Sequence, residues 1–340
     1  MSTTSPQVAA VAQKAAKLNI VQAINLALDD AMAADPKVIL FGEDVGDEEE
    51  GGVCGVTKGL SSKYGDARVR STPISEQAIV GAAIGAAVAG MRPVAEIMLM
   101  NFTAVAMDMI VNHAAKLRFM SGGQTHVPMV IRTMTGAGMG SGGQHSDYLE
   151  AWFAHVAGIK VVAPSNPADA YGLMLSCIED EDPCLYVEHL LSYWTPGPAP
   201  ERGVRVPIGK ARIARVGKDV TVITYSGMVT HCLAVADKLA GEGISVEVID
   251  LRTISPWDAD TVMTSAGKTR GAVVVHEAVR SFGVGAEIAA TIGEHLFGVL
   301  RAPIQRVGAA YCAVPFSRPL EAAFMPDQAR IEAAIRKTLI

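Results

Sequence analysis

Stretches with a helical spacing of apolar residues alternate along the chain with short, continuous apolar runs. From residue 20 to 32 apolar side chains recur at every third or fourth position, which predicts a helix that ends at Asp35-Pro36. Runs typical of buried strands follow at 38–41, 93–99, 128–132, 159–163 and 184–187, and helical stretches lie at 78–91, 102–119 and 167–177. Fully apolar strands that alternate with helices indicate a parallel sheet covered on both faces.

The same alternation resumes after a stretch rich in proline and glycine, which marks residues 191–206 as a linker. Beyond it lie strand runs at 220–225, 246–251, 272–275 and 304–307 and helical stretches at 229–239 and 285–295. We therefore expect an α/β fold with two parallel-sheet domains. The expected parts are a disordered leader at 1–18, a first domain at 19–190, the linker, and a smaller second domain at 207–340.

Composition excludes several classes of protein. The net charge is −6 and no cluster of lysine and arginine occurs, so nucleic acid is not expected as a partner. The longest gapless run of small apolar residues, Ala78 to Met91, has 14 residues, whereas a membrane-spanning helix needs ~20. The five cysteines are scattered and never in Cys-x-x-Cys spacing, which is typical of a reduced protein. Because the leader resembles neither a secretion signal nor a transit peptide, we expect a bacterial cytoplasmic protein.

Glu76 is the first candidate for chemistry. It stands at the start of the apolar run 78–91, whose glycines and alanines let a neighbouring element approach closely. A carboxyl group in dry surroundings favours its protonated form, which is how a buried general acid is made. The alternative is structural: Ser75 caps the helix, and Glu76 complements the dipole of its first turn.

A glycine-rich loop supplies the second candidate. Residues 136–143 contain five glycines and precede His145. Loops at the carboxyl ends of parallel strands are where α/β proteins bind ligands, and a histidine there can shuttle protons near neutral pH. A phosphate cradle is the weaker interpretation, because no Lys-Ser/Thr pair follows the glycines.

Ten short segments, taken in order, are similar to one known family. They are GEDV at 42–45, GVTKGL at 55–60, YG at 64–65, TPISE at 72–76, GMRPVAE at 90–96, AAK at 114–116, QHS at 144–146, GIKVV at 158–162, IDLRT at 249–253 and FGVGAE at 282–287. Together they resemble the β chain of the thiamine-diphosphate-dependent 2-oxo acid dehydrogenase component, the family of the pyruvate, branched-chain and acetoin enzymes. The resemblance implies a pyrimidine-binding domain followed by a transketolase C-terminal-like domain.

The resemblance implies roles for individual residues. The carboxyl group of Glu76 would lie against the aminopyrimidine ring of the cofactor, where it takes part in proton exchange. Phe102 would pack on that ring, although a lone phenylalanine in a helix is by default a core residue. Glu43 is the third cofactor-binding residue that the family implies. His145 would help transfer an acyl group to a lipoyl arm.

The resemblance also implies ions and partner chains. Thiamine enzymes bind Mg²⁺ through Gly-Asp-Gly followed by Asn, and this chain has no such motif. The diphosphate and Mg²⁺ are therefore expected on an α subunit, in an assembly of two α and two β chains. A lipoyl-bearing dihydrolipoyl acyltransferase is the expected acyl acceptor. Relatives bind potassium through backbone carbonyl groups at positions that correspond to Met129, Cys177, Asp180 and Asp182.

One position departs from the family. Relatives commonly have His-Ser-Gln where this chain has His145-Ser146-Asp147. The carboxylate of Asp147 would either pair with the histidine or face solvent, and the sequence leaves both alternatives open.

Three functions are compatible with these observations. The first is decarboxylation of a 2-oxo acid with acyl transfer to a lipoyl arm, with acetoin cleavage as a variant. The second is a catalytically silent scaffold subunit, which would be expected to lack Glu76 or His145. The third is the C-terminal half of a transketolase-like or deoxyxylulose-phosphate-synthase-like enzyme, which would normally be fused to a diphosphate-binding domain. Discrimination against one methylene is only ~1–3 kcal/mol, so pyruvate, branched-chain acids and acetoin all remain open as substrates.

Overall fold

Two mostly parallel β-sheets organise the chain, as the alternating pattern predicted. The structure, a computed structural model, describes residues 17–339. Its strands in that range are β1 (Lys17–Leu18), β2 (Val38–Gly42), β3 (Val69–Ser71), β4 (Arg92–Leu99), β5 (Val130–Thr135), β6 (Lys160–Val162), β7 (Cys184–His189), β8 (Gly197–Pro198), β9 (Arg212–Arg215), β10 (Val220–Thr224), β11 (Val246–Asp250), β12 (Thr253–Ser255), β13 (Ala272–Val279) and β14 (Gln305–Ala309). Its α-helices there are α1 (Ile20–Ala34), α2 (Leu60–Tyr64), α3 (Glu76–Val88), α4 (Leu117–Met120), α5 (Gly143–Ser146), α6 (Glu150–Ala154), α7 (Pro167–Glu179), α8 (Met228–Ala240), α9 (Ala259–Thr269), α10 (Val284–His295), α11 (Arg318–Phe324) and α12 (Gln328–Lys337). None of these helices is long and apolar enough to cross a membrane.

The first sheet has seven strands in the order β12-β6-β7-β5-β4-β2-β3. Every neighbouring pair is parallel except β12 with β6. The strands β5 and β7 are buried along their whole length, because helices cover both faces of the sheet. Helices α1 and α7 close one of the two apolar cores that result.

The second sheet has five strands in the order β14-β13-β10-β11-β9, and only β9 runs antiparallel. Helices α8 and α12 cover one face and enclose a core of valines. Helices α9 and α10 cover the other face, where their apolar side chains join the core that continues from the first sheet. The two α/β units of the predicted fold thus share buried surface.

Side chains cap the helices where the apolar spacing begins. At α1, Asn19 Oδ1 accepts the Gln22 N–H at 2.8 Å, and Gln22 Oε1 accepts the Asn19 N–H at 3.0 Å. Such a reciprocal box satisfies two backbone donors that a helix start otherwise leaves free. At α7, Asn166 accepts the Asp169 N–H, and Pro167 occupies the first helical position. These caps fix the starts of the two helices that pack together on the first sheet.

The segments at the start and the end of the first α/β unit are hydrogen-bonded to each other. The predicted leader 1–18 lies outside the described residues except for its last two, which form β1 and pair antiparallel with β8. The predicted linker 191–206 contains β8 and starts within the 3₁₀ turn Leu190–Ser192. The carbonyl of Tyr193 accepts the Ile20 N–H at 3.0 Å. This segment therefore lies against the start of α1.

The predicted helix at 102–119 was wrong in its type. The structure has a 3₁₀ turn at Met100–Ala104, a π-helix at Met109–Ala114 and the short α4 in its place. The Thr103 hydroxyl donates to the Met100 carbonyl at 2.5 Å, and such side-chain bonds compete with an α-helical ladder. Apolar periodicity alone does not separate these three kinds of helix, because all of them present one face to the core.

Candidate functional site

Charged side chains gather at the carboxyl edge of the first sheet. Glu43 directly follows β2, and Glu96, Arg132 and Glu188 lie in the adjacent strands β4, β5 and β7. The parallel register sets Gly42 beside Glu96 and Glu96 beside Arg132. This edge is where open α/β sheets bind their ligands.

Glu76 begins helix α3 next to this edge and is 9% exposed. Ser75 occupies the N-cap position, but its side chain makes no capping hydrogen bond, so the prediction of a Ser75 side-chain cap is wrong. The second part of that alternative, Glu76 in the first turn of α3, agrees with the structure. Burial, and after it the charge of Glu76, raises the pKa of Glu43. The Oε1 atom of Glu43 is buried and has no hydrogen-bond partner among residues 17–339. A buried carboxyl oxygen without a partner indicates a donor that comes from outside the chain.

A buried ion network lies beside Glu43. Arg132 Nη1 donates to Glu96 Oε2 at 2.5 Å, while its Nε and Nη2 donate to the two oxygens of Glu188 at 2.7 and 2.8 Å. The Tyr193 hydroxyl donates to the same Glu188 carboxylate. Burial raises the pKa of Glu96, and the neighbouring guanidinium opposes that rise. One cation thus serves two buried carboxylates, and Glu96 adds to the negative field at Glu43.

The second pair of predicted site residues meets across two strand ends. Phe102 is half-buried in the 3₁₀ turn after β4, and His145 is exposed in the short helix α5 after β5. Their rings contact edge to face, with 5.6 Å between ring centres. No side-chain hydrogen bond among the described residues joins this pair to Glu43 and Glu76. The structure therefore brings the four predicted residues to one edge as two pairs.

Asp147 takes neither of the two positions that the sequence left open. Its carboxylate accepts the side-chain amide of Asn101 at 3.0 Å, and its N–H donates to the amide oxygen of Asn101 at 3.2 Å. The same amide donates to the Gly143 carbonyl at 2.9 Å. Burial raises the pKa of Asp147, and Asn101 opposes the rise. Asp147 therefore fixes the turn around His145 through Asn101 and does not pair with the imidazole.

The glycine-rich loop already binds anions that belong to the chain itself. The Ala137 N–H donates to Glu277, and the Gly138 and Gly140 N–H groups donate to Glu321. Both carboxylates come from the second α/β unit. The interpretation of the loop as a phosphate cradle is therefore wrong, because these backbone donors have partners.

The proposed potassium ligands lie around the start of β7. The Met129 carbonyl accepts the Cys184 N–H at 2.9 Å, and the Asp180 carbonyl accepts Arg92 Nη1 at 3.2 Å. Each carbonyl oxygen retains a second lone pair, so these groups fit a potassium ion by chemistry. The Lys160 ammonium already lies 2.6 Å from both carboxylate oxygens of Asp180. Potassium at Met129, Cys177, Asp180 and Asp182 stays a prediction.

Several charged residues of the site were missed from the sequence. Arg132 and Glu188 lie in strands that are buried along their whole length, and a charge inside a buried strand is a usable signal for a paired ion. Glu277 and Glu321 offered no such signal toward the loop, because their partners lie 140 and 183 residues away in the chain.

Two family profiles match the chain. The profile described as transketolase, pyrimidine binding domain, matches residues 16–193. The profile described as transketolase, C-terminal domain, matches residues 209–331. The matched ranges follow the two sheets, except that β12 comes from the second range and joins the first sheet.

Several known proteins are similar over most of their length. The β subunit of acetoin:2,6-dichlorophenolindophenol oxidoreductase from Cupriavidus necator is 47% identical over 96% of this chain and 98% of its own. The β subunit of the pyruvate dehydrogenase E1 component from Staphylococcus epidermidis is 43% identical over 95% of this chain and 99% of its own. A solved structure described as a split gene transketolase, inactive β4 tetramer, has a TM-score of 0.75 at 21% identity and covers 95% of this chain and 98% of its own. That last likeness shows the fold alone.

Proposed function

We propose that this chain, which belongs to the family of β subunits of thiamine-diphosphate-dependent 2-oxo acid dehydrogenases, decarboxylates a 2-oxo acid together with an α subunit and passes the acyl group to a lipoyl arm. The observation that carries the proposal is the carboxyl pair Glu43 and Glu76, with one Glu43 oxygen that no described residue satisfies. Such a pair suits a ligand that offers nitrogen donors and exchanges a proton. The aminopyrimidine of thiamine diphosphate has both properties, so the residues fit the cofactor.

Three side chains of this chain would hold the pyrimidine. Glu43 offers its free oxygen to an amino group, and Glu76 offers a second carboxyl group to a ring nitrogen. Phe102 offers an apolar face beside them on the same sheet edge. When bound, thiamine diphosphate supplies an electron sink for the electron pair that is released as CO₂ leaves. With the cofactor bound, Glu76 would hold and return one proton at the ring nitrogen, which is a general acid role.

His145 acts at the later step in this proposal. Its imidazole is exposed on the short helix that follows the glycine-rich loop, where an arm on another protein can reach it. The lipoyl disulfide is the two-electron oxidant in this step: its S–S bond breaks, one sulfur becomes the acyl thioester, and the other leaves as a thiolate. A protonated imidazole at His145 can donate a proton to that thiolate. Phe102 restricts one side of the ring.

An exposed face of α3 supports the α subunit as partner. Ala78, Ala82, Gly85 and Ala89 lie on the side of this helix that the chain does not bury. Small side chains there let another helix approach closely, and Ile74 beside them is 82% exposed. In this proposal the α subunit supplies the diphosphate site and its Mg²⁺. A potassium ion at the carbonyl groups already named would belong to the same holoenzyme.

The test is reconstitution. We expect the purified chain with thiamine diphosphate and Mg²⁺ to be inactive, and we expect decarboxylation to appear when its α subunit is co-expressed. The Glu76→Gln variant, co-expressed in the same way, is the matched control. It should assemble with the α subunit but show little decarboxylation. Decarboxylation by the isolated chain would contradict the division of the site, and an assembled complex that acts on none of the substrates below would contradict the function.

Acetoin cleavage is a second candidate, because the Cupriavidus necator relative at 47% identity is named for acetoin. The two candidates differ in substrate and share the site. Reduction of 2,6-dichlorophenolindophenol by the reconstituted complex, measured with pyruvate, 3-methyl-2-oxobutanoate and acetoin in parallel, distinguishes them. The substrate with a kcat/KM at least tenfold above the others, about 1.4 kcal/mol, identifies the activity.

A further inference from the structure

The loop that precedes the His145 helix is bound by carboxylates of the second α/β unit. Four glycines of this glycine-rich loop have positive φ angles: Gly136 at +126°, Gly138 at +111°, Gly140 at +71° and Gly142 at +74°. Residues with side chains rarely adopt such values. Alternating left-handed residues turn successive N–H groups toward one side, which creates a concave donor surface for an anion.

Glu321 of helix α11 occupies that surface. Its Oε1 accepts the Gly138 N–H at 2.6 Å, and its Oε2 accepts the Gly140 N–H at 3.0 Å. The side chain is only 2% exposed. Hydrogen bonds from backbone amides to a carboxylate are about twice as strong as neutral ones, and burial protects them from competition with water.

Glu277 of strand β13 holds the start of the same loop. Its Oε1 accepts the Ala137 N–H at 2.8 Å, and its Oε2 lies 2.7 Å from His189 Nε2. The other ring nitrogen of His189 lies 2.8 Å from the Ser192 hydroxyl. Burial alone would raise the pKa of Glu277, but His189 and the Ala137 N–H together hold it below its ordinary value.

Neighbouring residues leave little space around the His189 side chain and the glycine-rich loop. His189 sits between Gly136 and Gly227, and a carbon atom added to Gly227 would come within 2.6 Å of the imidazole. At the far end of the loop, a carbon atom added to Gly142 would come within 2.5 Å of the Phe316 ring. Both units therefore contact the loop from its first residue to its last.

We propose that Glu321 and Glu277 are positioning residues that hold the glycine-rich loop and thereby place His145 beside Phe102. The proposal makes the second α/β unit part of the reaction, although no side chain among its described residues hydrogen-bonds to Glu43, Glu76 or Phe102. For its effect on acyl transfer it rests on the proposed function of His145. The placement of the loop itself does not depend on that function.

The test compares Glu321→Gln with Glu294→Gln in the complex with the α subunit. Gln keeps the shape of Glu321 but removes the charge and one acceptor, whereas Glu294 is exposed in the same unit and serves as the matched control. We expect hydrogen exchange in peptides covering residues 137–142 to become about tenfold faster in Glu321→Gln and to stay unchanged in the control. The lipoamide-coupled rate should fall about tenfold, while reduction of an artificial electron acceptor stays within twofold of wild type.

A second variant guards against a folding defect. Glu321→Asp keeps the charge but shortens the side chain, so it should give intermediate exchange in the loop with wild-type exchange elsewhere. Unchanged exchange in Glu321→Gln would overturn the proposal, and so would faster exchange with a wild-type lipoamide-coupled rate. If the wild-type complex has neither 2-oxo acid nor acetoin activity, the proposed function is wrong. Hydrogen exchange in the loop then decides by itself whether Glu321 and Glu277 position the loop.

Discussion

The rings of Phe102 and His145 meet edge to face, at an interplanar angle of 75° and with 5.6 Å between their centres. The contact exists because β4 and β5 are parallel neighbours in the first sheet, so the segments that follow the two strands leave the sheet side by side. An aromatic pair of this geometry contributes about 0.5–1.5 kcal/mol beyond its buried area. The aromatic residue predicted for the cofactor thus contacts the histidine predicted for the acyl acceptor.

His145→Ala should separate the two steps of the proposed reaction. If His145 assists transfer to the lipoyl arm, the lipoamide-coupled rate should fall about 100-fold, because general acid–base catalysis contributes factors of this order. Reduction of an artificial electron acceptor should fall less than threefold, because it bypasses the lipoyl arm. Equal losses in both assays would place His145 in cofactor or substrate binding instead.

Glu76→Gln should remove most of the activity and leave the fold intact. The amide has nearly the shape of the carboxyl group but does not exchange the proton that the proposed mechanism requires. We expect less than a tenth of the wild-type turnover, a loss of at least ~1.4 kcal/mol in barrier terms, together with an unchanged midpoint of urea unfolding. Turnover above that level would mean that Glu76 serves only the first turn of α3.

The fold was predictable where the sequence of a single helix or strand is enough to identify it. Helix α1 shows the 3.6-residue period and has a capping box, and the structure has it at Ile20–Ala34, where the sequence predicted 20–32. Strand β12 was missed because Thr253–Ser255 is too short for any period, and only its partner β6 makes it a strand. The broken helix after β4 was mistaken for one α-helix because burial depends on the face and not on the hydrogen-bond pattern.

The site was predictable only in part, for a similar reason. Family motifs directed attention to Glu76 and His145, which lie in the helices α3 and α5 that follow strands β3 and β5 of the first sheet. The contacts of Glu321 with the glycine-rich loop join positions 183 residues apart, and no local pattern encodes them. Arg132 was accessible in principle, because a guanidinium in a strand of buried residues requires carboxylate partners nearby.

Arg132→Met should destabilise the chain strongly. It removes the cation between Glu96 and Glu188, whose side chains are 12% and 1% exposed, and leaves both carboxylates without a positive charge beside them. Breaking a buried pair costs about 3–5 kcal/mol, which should appear as a large fall in the urea midpoint. Arg118→Met is the matched control, because its pair with Asp182 is 44% and 29% exposed and such pairs contribute about 0–1 kcal/mol. Similar urea midpoints for the two variants would contradict the claim that the buried ion network stabilises the fold more than an exposed ion pair does.

Glu150 is fully buried between the two α/β units. The Tyr225 hydroxyl donates to its Oε1 at 2.6 Å, and its Oε2 has no partner among the described residues. Burial raises the pKa of Glu150 from 4.5 to about 7. The folded chain therefore keeps a proton that the unfolded chain releases between those values. Stability from this group is fully present below about pH 4.5 and is lost as the pH rises toward 7.

Glu150→Gln should remove that pH dependence, because Gln resembles the protonated acid at every pH. Relative to wild type, the free energy of unfolding of the variant should rise by up to about 3 kcal/mol between pH 4.5 and pH 7.5, at about 1.4 kcal/mol for each pKa unit of difference. Urea unfolding of both chains at several pH values in this window measures the difference, and Glu294→Gln, an exposed position, should show none. A difference between Glu150→Gln and wild type that stays constant with pH would mean that Glu150 is ionised in the folded chain throughout, with a cation or water beside the free oxygen.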